Sequence, residues 1–491
     1  MKVVHIGDNV LSGHRFNGHD LGRYLREAGI SSDHLVWWKN CDDQYTFEIA
    51  GHSKSREGIR DLCNRLNDRY GTNALFYPFS YDLLFDEIFL RSDVVHLHLI
   101  HNNFFDIGHL PIISRLKPVV WTLHDPWPIA GHCVHSFDCT NWITGCSDCP
   151  YLAELFGIKF DSSALNWENK KLIFGASDLD LIVTSRWMLE RISKSPFFKN
   201  KRLHLVHFGL DLDKFKPGDS SKAKQSLNIP KHNIVISFRA IESVYKGLGY
   251  IRQCLRQLKY DNPITLLVFN GKGLLDEFKD RFQIIELGWI SDDDKMIDAY
   301  NAADIFLMPS VAETFGMMAM EAMACGKPVI VMDGTSLPEV VKPDESGGII
   351  VPQGNVDAMG KQLGILMSDP DLRRSIGERS RKTAEKYYNK DRYVNEIIQV
   401  YEKAIERKAG DKRAYQVIEQ QKNICRAKAY LLPDETSFSI EKGTLSNYIS
   451  NGEYKLIRLA RRIKGVPAIN LLWKSIVTLT YIYTRNMRRK L

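Results

Sequence analysis

The sequence predicts an α/β protein of two doubly wound parallel-sheet domains followed by a basic helical extension. Three observations carry this. Short β-branched runs alternate with helix-like stretches, the rhythm of a parallel sheet covered by helices on both faces. That rhythm pauses once, over the polar and turn-rich segment Gly209–Gly218, and then restarts. The chain has 491 residues, room for two to four domains that each bury a core.

The first domain, residues 1–208, opens with Val3–Ile6 as a buried strand. Gly18–Glu27 follows as a helix with Leu21, Tyr24 and Leu25 on one face. Val94–Leu99, Pro118–Leu123 and Leu181–Thr184 are its further strands. In the second domain, residues 209–407, strands fall at Ile234–Phe238, Ile264–Phe269, Gln283–Leu287, Ile305–Met308 and Pro328–Val331. The helical pattern of 356–407 closes it. Two such domains in tandem put the default ligand site in the cleft between them.

Composition narrows the classes. Hydrophobic residues at 44% and charged residues at 25% exclude disordered, collagen-like and disulfide-scaffold chains. The net charge of +7 is local, because ten basic residues and no acid follow from Lys455 onward, leaving the preceding 454 residues at −3. In the extension, 408–491, apolar Leu456, Leu459, Ala460, Ile463, Leu472, Ile476, Leu479 and Tyr483 recur at steps of three and four, with basic residues on other faces. That is the pattern of a helix lying in an anionic membrane surface, where each Lys or Arg contributes about 1 kcal/mol. Packing on the protein body is the alternative; a nucleic-acid partner is not expected, since no recognised module accompanies the charge. The apolar run at Met1–Gly7 is too short for a secretory signal, no stretch of 18 uncharged apolar residues occurs, and nine cysteines fit a reducing compartment. The expected location is cytoplasmic, attached peripherally to the cytoplasmic face of the inner or plasma membrane.

The most informative segment is Glu313–Gly326. Glu313 and Glu321 stand eight residues apart, the first before a Gly-containing turn and the second on a Met/Ala helix. Phe315, Gly316 and Met317 lie where that helix begins, so their N–H groups and the helix dipole form a site suited to phosphate. Glu313 is placed to accept bonds from hydroxyls, and Glu321 from a ribose.

This segment resembles the Glu-x7-Glu motif of the retaining glycosyltransferases of family 4, which have the two-domain GT-B fold with Rossmann-like halves. Ala302–Ser310, Ser336–Val341 and Gly347-Gly348 resemble the flanking family segments, and Gly209-Leu210-Asp211 with Phe215 and Pro217 resembles the interdomain signature. The resemblance covers roughly residues 1–405. It implies that Arg239 and Lys246 bind the donor diphosphate, whose growing charge two cations and oriented amides stabilise. It also implies that Gly271 and Gly288 line the nucleotide site, that Gly13 or the backbone near Gly18 approaches the diphosphate from the other domain, and that no metal is required for catalysis. His124, in the His-Asp-Pro-Trp turn after a strand, resembles the family histidine that meets the reacting centre.

Four of the nine cysteines, Cys133, Cys139, Cys146 and Cys149, fall within 17 residues of the loop 132–150. Four thiolates ending in Cys-x2-Cys match a closed tetrahedral zinc site, with His132 and His135 as substitute ligands. The alternative is a reduced lid packed without metal. The order of these residues is similar to a narrower branch that builds O-antigen, colanic-acid-like and capsular polysaccharides. The expected function is therefore transfer of a sugar from a nucleotide-diphosphate sugar to a hydroxyl of a lipid-linked or growing glycan, as in lipopolysaccharide or capsule assembly. A GT-B epimerase or hydrolase, or a non-catalytic scaffold, is the alternative.

Overall fold

All strands in the two sheets run parallel, as the β-branched runs require. The computed structural model describes residues 1–9, 17–49, 54–154, 156–341 and 348–409. Gly13 and the basic tail lie outside them. The first sheet contains β1 (Lys2–Asn9), β2 (Ser31–Trp38), β3 (Thr46–Glu48), β4 (Val94–Leu97), β5 (Val119–Leu123), β6 (Asp180–Val183) and β7 (Arg202–Leu205), in the order β3-β2-β1-β4-β5-β6-β7. The second contains β8 (Ile234–Ala240), β9 (Ile264–Asn270), β10 (Gln283–Gly288), β11 (Ile305–Met308), β12 (Val329–Met332) and β13 (Gly348–Val351), in the order β10-β9-β8-β11-β12-β13. Each order reverses once, at β1/β4 and at β8/β11. Those switch points are where α/β folds open a crevice.

Nine of these strands coincide with the runs read from the sequence. Strands β2, β3, β7 and β13 do not, for a physical reason. β2 begins on polar Ser31, Ser32 and Asp33, β7 is a half-buried strand reading Arg-Leu-His-Leu, and β3 is three residues long. β3 and β7 lack the continuous apolar run of a strand buried on both faces, whereas the apolar runs of β2 and β13, Leu35–Trp38 and Ile349–Val351, follow directly on polar residues or glycine.

The linker Gly209–Gly218 is stitched to a second crossing of the chain. Leu210 N–H donates to the Tyr388 carbonyl at 2.8 Å, and Lys390 N–H to the Leu210 carbonyl at 3.1 Å. Gly209 packs so closely on this crossing that a Cβ there would sit 2.5 Å from the Tyr393 side chain. Helices Val356–Ser368 and Pro370–Tyr387 cover the second sheet, but Lys390–Ala409 packs back on the first. Its Tyr401 hydroxyl bonds His96 at 2.6 Å, and Arg407 pairs with buried Asp180. The expectation that 356–407 as a whole closes the second domain is corrected here. The helix buries Tyr393, Val394, Ile397, Val400, Tyr401 and Ala404 on one stripe, and a stripe does not state which sheet it will meet. Among the described residues no helix is long and apolar enough to cross a membrane.

Candidate active site

The C-terminal ends of β8 and β11 open onto a cavity of about 590 Å³, with walls from both domains. β11 ends at Met308, and the chain turns through Pro309–Gly316 into helix Met317–Ala324. Gly316 caps that helix with φ 104°, and a Cβ there would meet Leu337 Cδ2 at 2.4 Å, so only glycine fits the turn. Phe315, Gly316 and Met317 all line the cavity, as does Glu321 one turn along. Glu321 is 2% exposed and accepts the Tyr300 hydroxyl at 2.7 Å, which holds its carboxylate at the cavity wall. Trp289 also lines the cavity but is 57% exposed, a rim rather than a packed wall.

The cations come from β8 and the turn after it. Arg239 lies in the strand and faces the cavity; burial lowers its pKa, and its Nε finds no partner among the described residues. A buried guanidinium N–H at a cavity wall is an anion site in waiting. Lys246 donates Nζ to Glu313 Oε1 at 2.5 Å. This meeting of residues 67 apart depends on Gly247: with φ 72°, its missing Cβ would fall 2.0 Å from the Pro309 carbonyl oxygen. The Val311 N–H then donates to the Tyr245 carbonyl at 3.0 Å and ties the two loops together.

The opposite wall is the first domain. His124 follows β5, lines the cavity, and lies parallel to the Phe208 ring at 6.0 Å. Burial pushes its pKa down to about 3, with Asp125 opposing, so the ring is neutral at physiological pH. Asp125 accepts the Trp127 N–H at 2.9 Å and lies 3.3 Å from His101. It holds the turn. Asp8 and Asn102, joined at 2.6 Å, line the cavity as well. The sequence reading passed over both; their signal was a polar residue at or just beyond the C-terminal end of a central parallel strand.

Residues 219–383 match the family described as glycosyl transferases group 1. The second domain is a group 1 glycosyltransferase domain. Among curated proteins, the chain is 28% identical over 222 residues to an MMP alpha-(1->4)-mannosyltransferase of Mycolicibacterium hassiacum, covering 43% of this chain and 50% of that one. It is 24% identical over 349 residues to a putative colanic acid biosynthesis glycosyl transferase of Escherichia coli K12, covering 66% and 82%. The chain spans about half the length of the first curated relatives it matches. Among solved structures, Anabaena HepE in complex with UDP and glucose superposes with a TM-score of 0.55 at 14% identity, over 81% of this chain and 98% of that one. The two-domain fold is GT-B.

Within the group 1 domain, then, the structure brings Arg239, Lys246, Glu313, Phe315, Gly316, Met317, Glu321 and Gly288 to one cavity, and His124 faces them. Gly271 is not among the lining residues. It packs behind the wall, where a Cβ would touch the Ala240 carbonyl at 2.8 Å, and its neighbour Asn270 lines the cavity instead. The four loop cysteines do not gather as ligands. Cys146 Sγ accepts the Gly131 N–H at 3.3 Å, and Cys149 Sγ lies 3.2 Å from His132 Nε2. Burial pushes the Cys133 thiol up to about 12 and Cys146 to about 11. Among the described residues, the trio of ligand-type atoms within 4.8 Å of one another is His5, His96 and His98, elsewhere in the domain. Lys170, 1% exposed, anchors the turn after His124 by donating at 2.7 Å to both the Trp127 and the Ala130 carbonyls.

Proposed function

We propose that the chain is a retaining glycosyltransferase that moves a sugar from a nucleoside-diphosphate donor to a hydroxyl of a lipid-linked or growing surface glycan. The observation that carries this reading is the convergence of Arg239, Lys246 and the N-terminus of helix Met317–Ala324 on one cavity, with Glu313 between them. Two fixed cations and oriented amides favour a leaving diphosphate over a bound substrate, because the negative charge grows as the bond breaks. Glu313, held by Lys246, positions sugar hydroxyls, and Glu321 positions the ribose. The bond from the sugar's anomeric carbon to phosphate oxygen breaks as the bond to the acceptor oxygen forms on the same face. The departing phosphate oxygen takes the acceptor's proton, so no side chain has to act as base.

The UDP in the HepE complex supports a nucleotide donor, and the name of the Escherichia coli relative supports polysaccharide assembly. The basic extension supports an acceptor held at an anionic membrane surface. Purified full-length chain incubated with a panel of nucleotide-sugars should release nucleoside diphosphate from one of them. Glu313→Ala and Lys246→Ala should abolish that release while unfolding at the parent's temperature; undiminished turnover sinks the assignment. Removing 455–491 should free the protein from anionic vesicles, and unchanged co-sedimentation excludes the membrane role.

A further inference from the structure

The face of the first sheet that turns toward helix Lys390–Ala409 changes character along its length. It starts apolar, with Val3 on β1 and Val94 on β4 in register. One pleat nearer the cleft it becomes His5 and His96, also in register, and then His98 just past β4. These rings are buried to 2% exposure or less, in the middle of a protein core. Histidine at alternate positions of two adjacent parallel strands is an expensive choice there unless its nitrogens are used.

They are used, as a chain. His5 Nδ1 and His98 Nε2 are 3.0 Å apart, and His98 Nδ1 and His124 Nε2 are 3.2 Å apart. Three rings thus link β1, β4 and the end of β5, and the last of them lines the cavity. His96 stands beside the chain with both nitrogens committed, to Tyr401 at 2.6 Å and to Thr122 at 2.7 Å. With both nitrogens of His98 committed as well, this is a hydrogen-bonded line rather than a ligand set.

We propose that His5 and His98 are positioning residues that fix the tautomer of His124, placing its ring proton on Nδ1. Burial keeps all three rings neutral, so each carries one ring proton. Two bonds in series must then share one polarity. Either every ring donates toward the cleft, or every ring donates away from it. The buried end decides. His5 Nε2 is buried and finds no partner among the described residues. Donation away from the cleft would force a proton onto that nitrogen and strand a buried N–H. Donation toward the cleft leaves only an unused lone pair there, the lesser loss. His5 Nδ1–H therefore donates to His98, and His98 Nδ1–H donates to His124 Nε2. The lone pair of His124 Nε2 is consumed, so that nitrogen is not available as a general base.

Gly18 guards the line. Its φ is 98°, and a Cβ there would fall 2.3 Å from His98 Nε2, inside the bond to His5. A glycine at the start of the first helix thus reserves the space in which the relay forms.

The functional part of this inference rests on the transferase reading, but its test does not. Full-length protein labelled with nitrogen-15 histidine reports which ring nitrogen carries the proton, with His124 assigned from a His124→Gln spectrum. In the parent, His124 should be protonated on Nδ1; protonation on Nε2 overturns the relay. In His98→Phe, and separately in Gly18→Ala, His124 should lose that fixed tautomer; an unchanged His124 signal in a folded variant overturns it. Where the enzyme turns over, His98→Phe should lower kcat about tenfold with KM for the donor little changed, the pattern of a contact made in the transition state. A parent that shows Nδ1–H on His124 but transfers no sugar supports the relay and overturns the transferase reading. An active parent with Nε2–H overturns the relay alone.

Discussion

Thr314 donates its hydroxyl to the backbone carbonyl of His124 at 2.6 Å, across the cleft from one domain to the other. Its own carbonyl accepts the Ser185 hydroxyl, also at 2.6 Å. One residue of the Glu313 loop is thereby fastened twice to the first domain, beside a ring that lines the cavity. Glu339 adds a third tie, accepting the Arg186 N–H at 2.7 Å. These bonds set the distance between His124 and Glu313.

Replacing Thr314 with Val keeps the shape and removes the donor. The loss of one such bond is about 1 kcal/mol, so kcat/KM should fall about fivefold while thermal stability changes little. Thr314→Ser should restore the parent rate. Equal rates in parent and Val variant would show that the crossbar is idle.

Gly247→Ala attacks the meeting of Lys246 and Glu313 without touching either. The added carbon would lie 2.0 Å from the Pro309 carbonyl oxygen in a left-handed conformation, so the turn must move. The strain is about 1–3 kcal/mol, and it falls on the loop that carries Lys246. Calorimetric binding of the nucleoside diphosphate released in the donor-panel assay should weaken at least tenfold. Gly249→Ala is the control: nothing lies within 4 Å of its added carbon, and in helix Leu248–Gln257 it should stabilise by about 0.5–1 kcal/mol. Equal binding by both variants would remove the turn from the argument.

Tyr300→Phe deletes the hydroxyl that donates to Glu321. If Glu321 holds the ribose, the change loosens a ground-state contact. KM for the donor should rise about three- to tenfold with kcat nearly constant. A fall in kcat alone would move Glu321 to the reacting end of the donor.

Much of this was legible in the sequence, and the reasons are local. Continuous β-branched runs mark strands buried on both faces, and the Glu313–Gly326 segment announces its own turn and helix. What was not legible depends on distant partners. Nothing around Lys246 says that it will meet Glu313, nor does Thr314 announce His124. The helical stripe at 390–409 names no sheet. Nor does the cysteine spacing say that Cys146 will meet the Gly131 N–H or that Cys149 will meet His132. The histidine face was legible and passed over, because Val-His-Leu-His reads as a strand whether or not its rings connect.

That face makes the stability of the first domain sensitive to mild acid. His5 and His124 have pKa values pushed down to about 3 by burial, and His34, His96 and His98 are lowered for the same reason, with neighbouring histidines and Arg26 adding repulsion. In the unfolded chain each would titrate near the ordinary value of about 6.5. The native pKa is depressed, so the unfolded state binds more protons between the two values. Stability is fully present above about pH 7 and is lost as pH falls through 6.5 and below. Each ring that stays neutral removes about 1.4 kcal/mol per pH unit in that window. Several acting together exhaust a typical stability of about 5–15 kcal/mol within roughly two pH units. Thermal unfolding from pH 8 to pH 5 should therefore be flat at first and then fall with the steepness of more than two protons. His5→Phe should make the fall shallower by about one proton. A parent curve with the slope of a single proton would mean that the rings are charged in the native state and the hydrogen-bonded line does not exist.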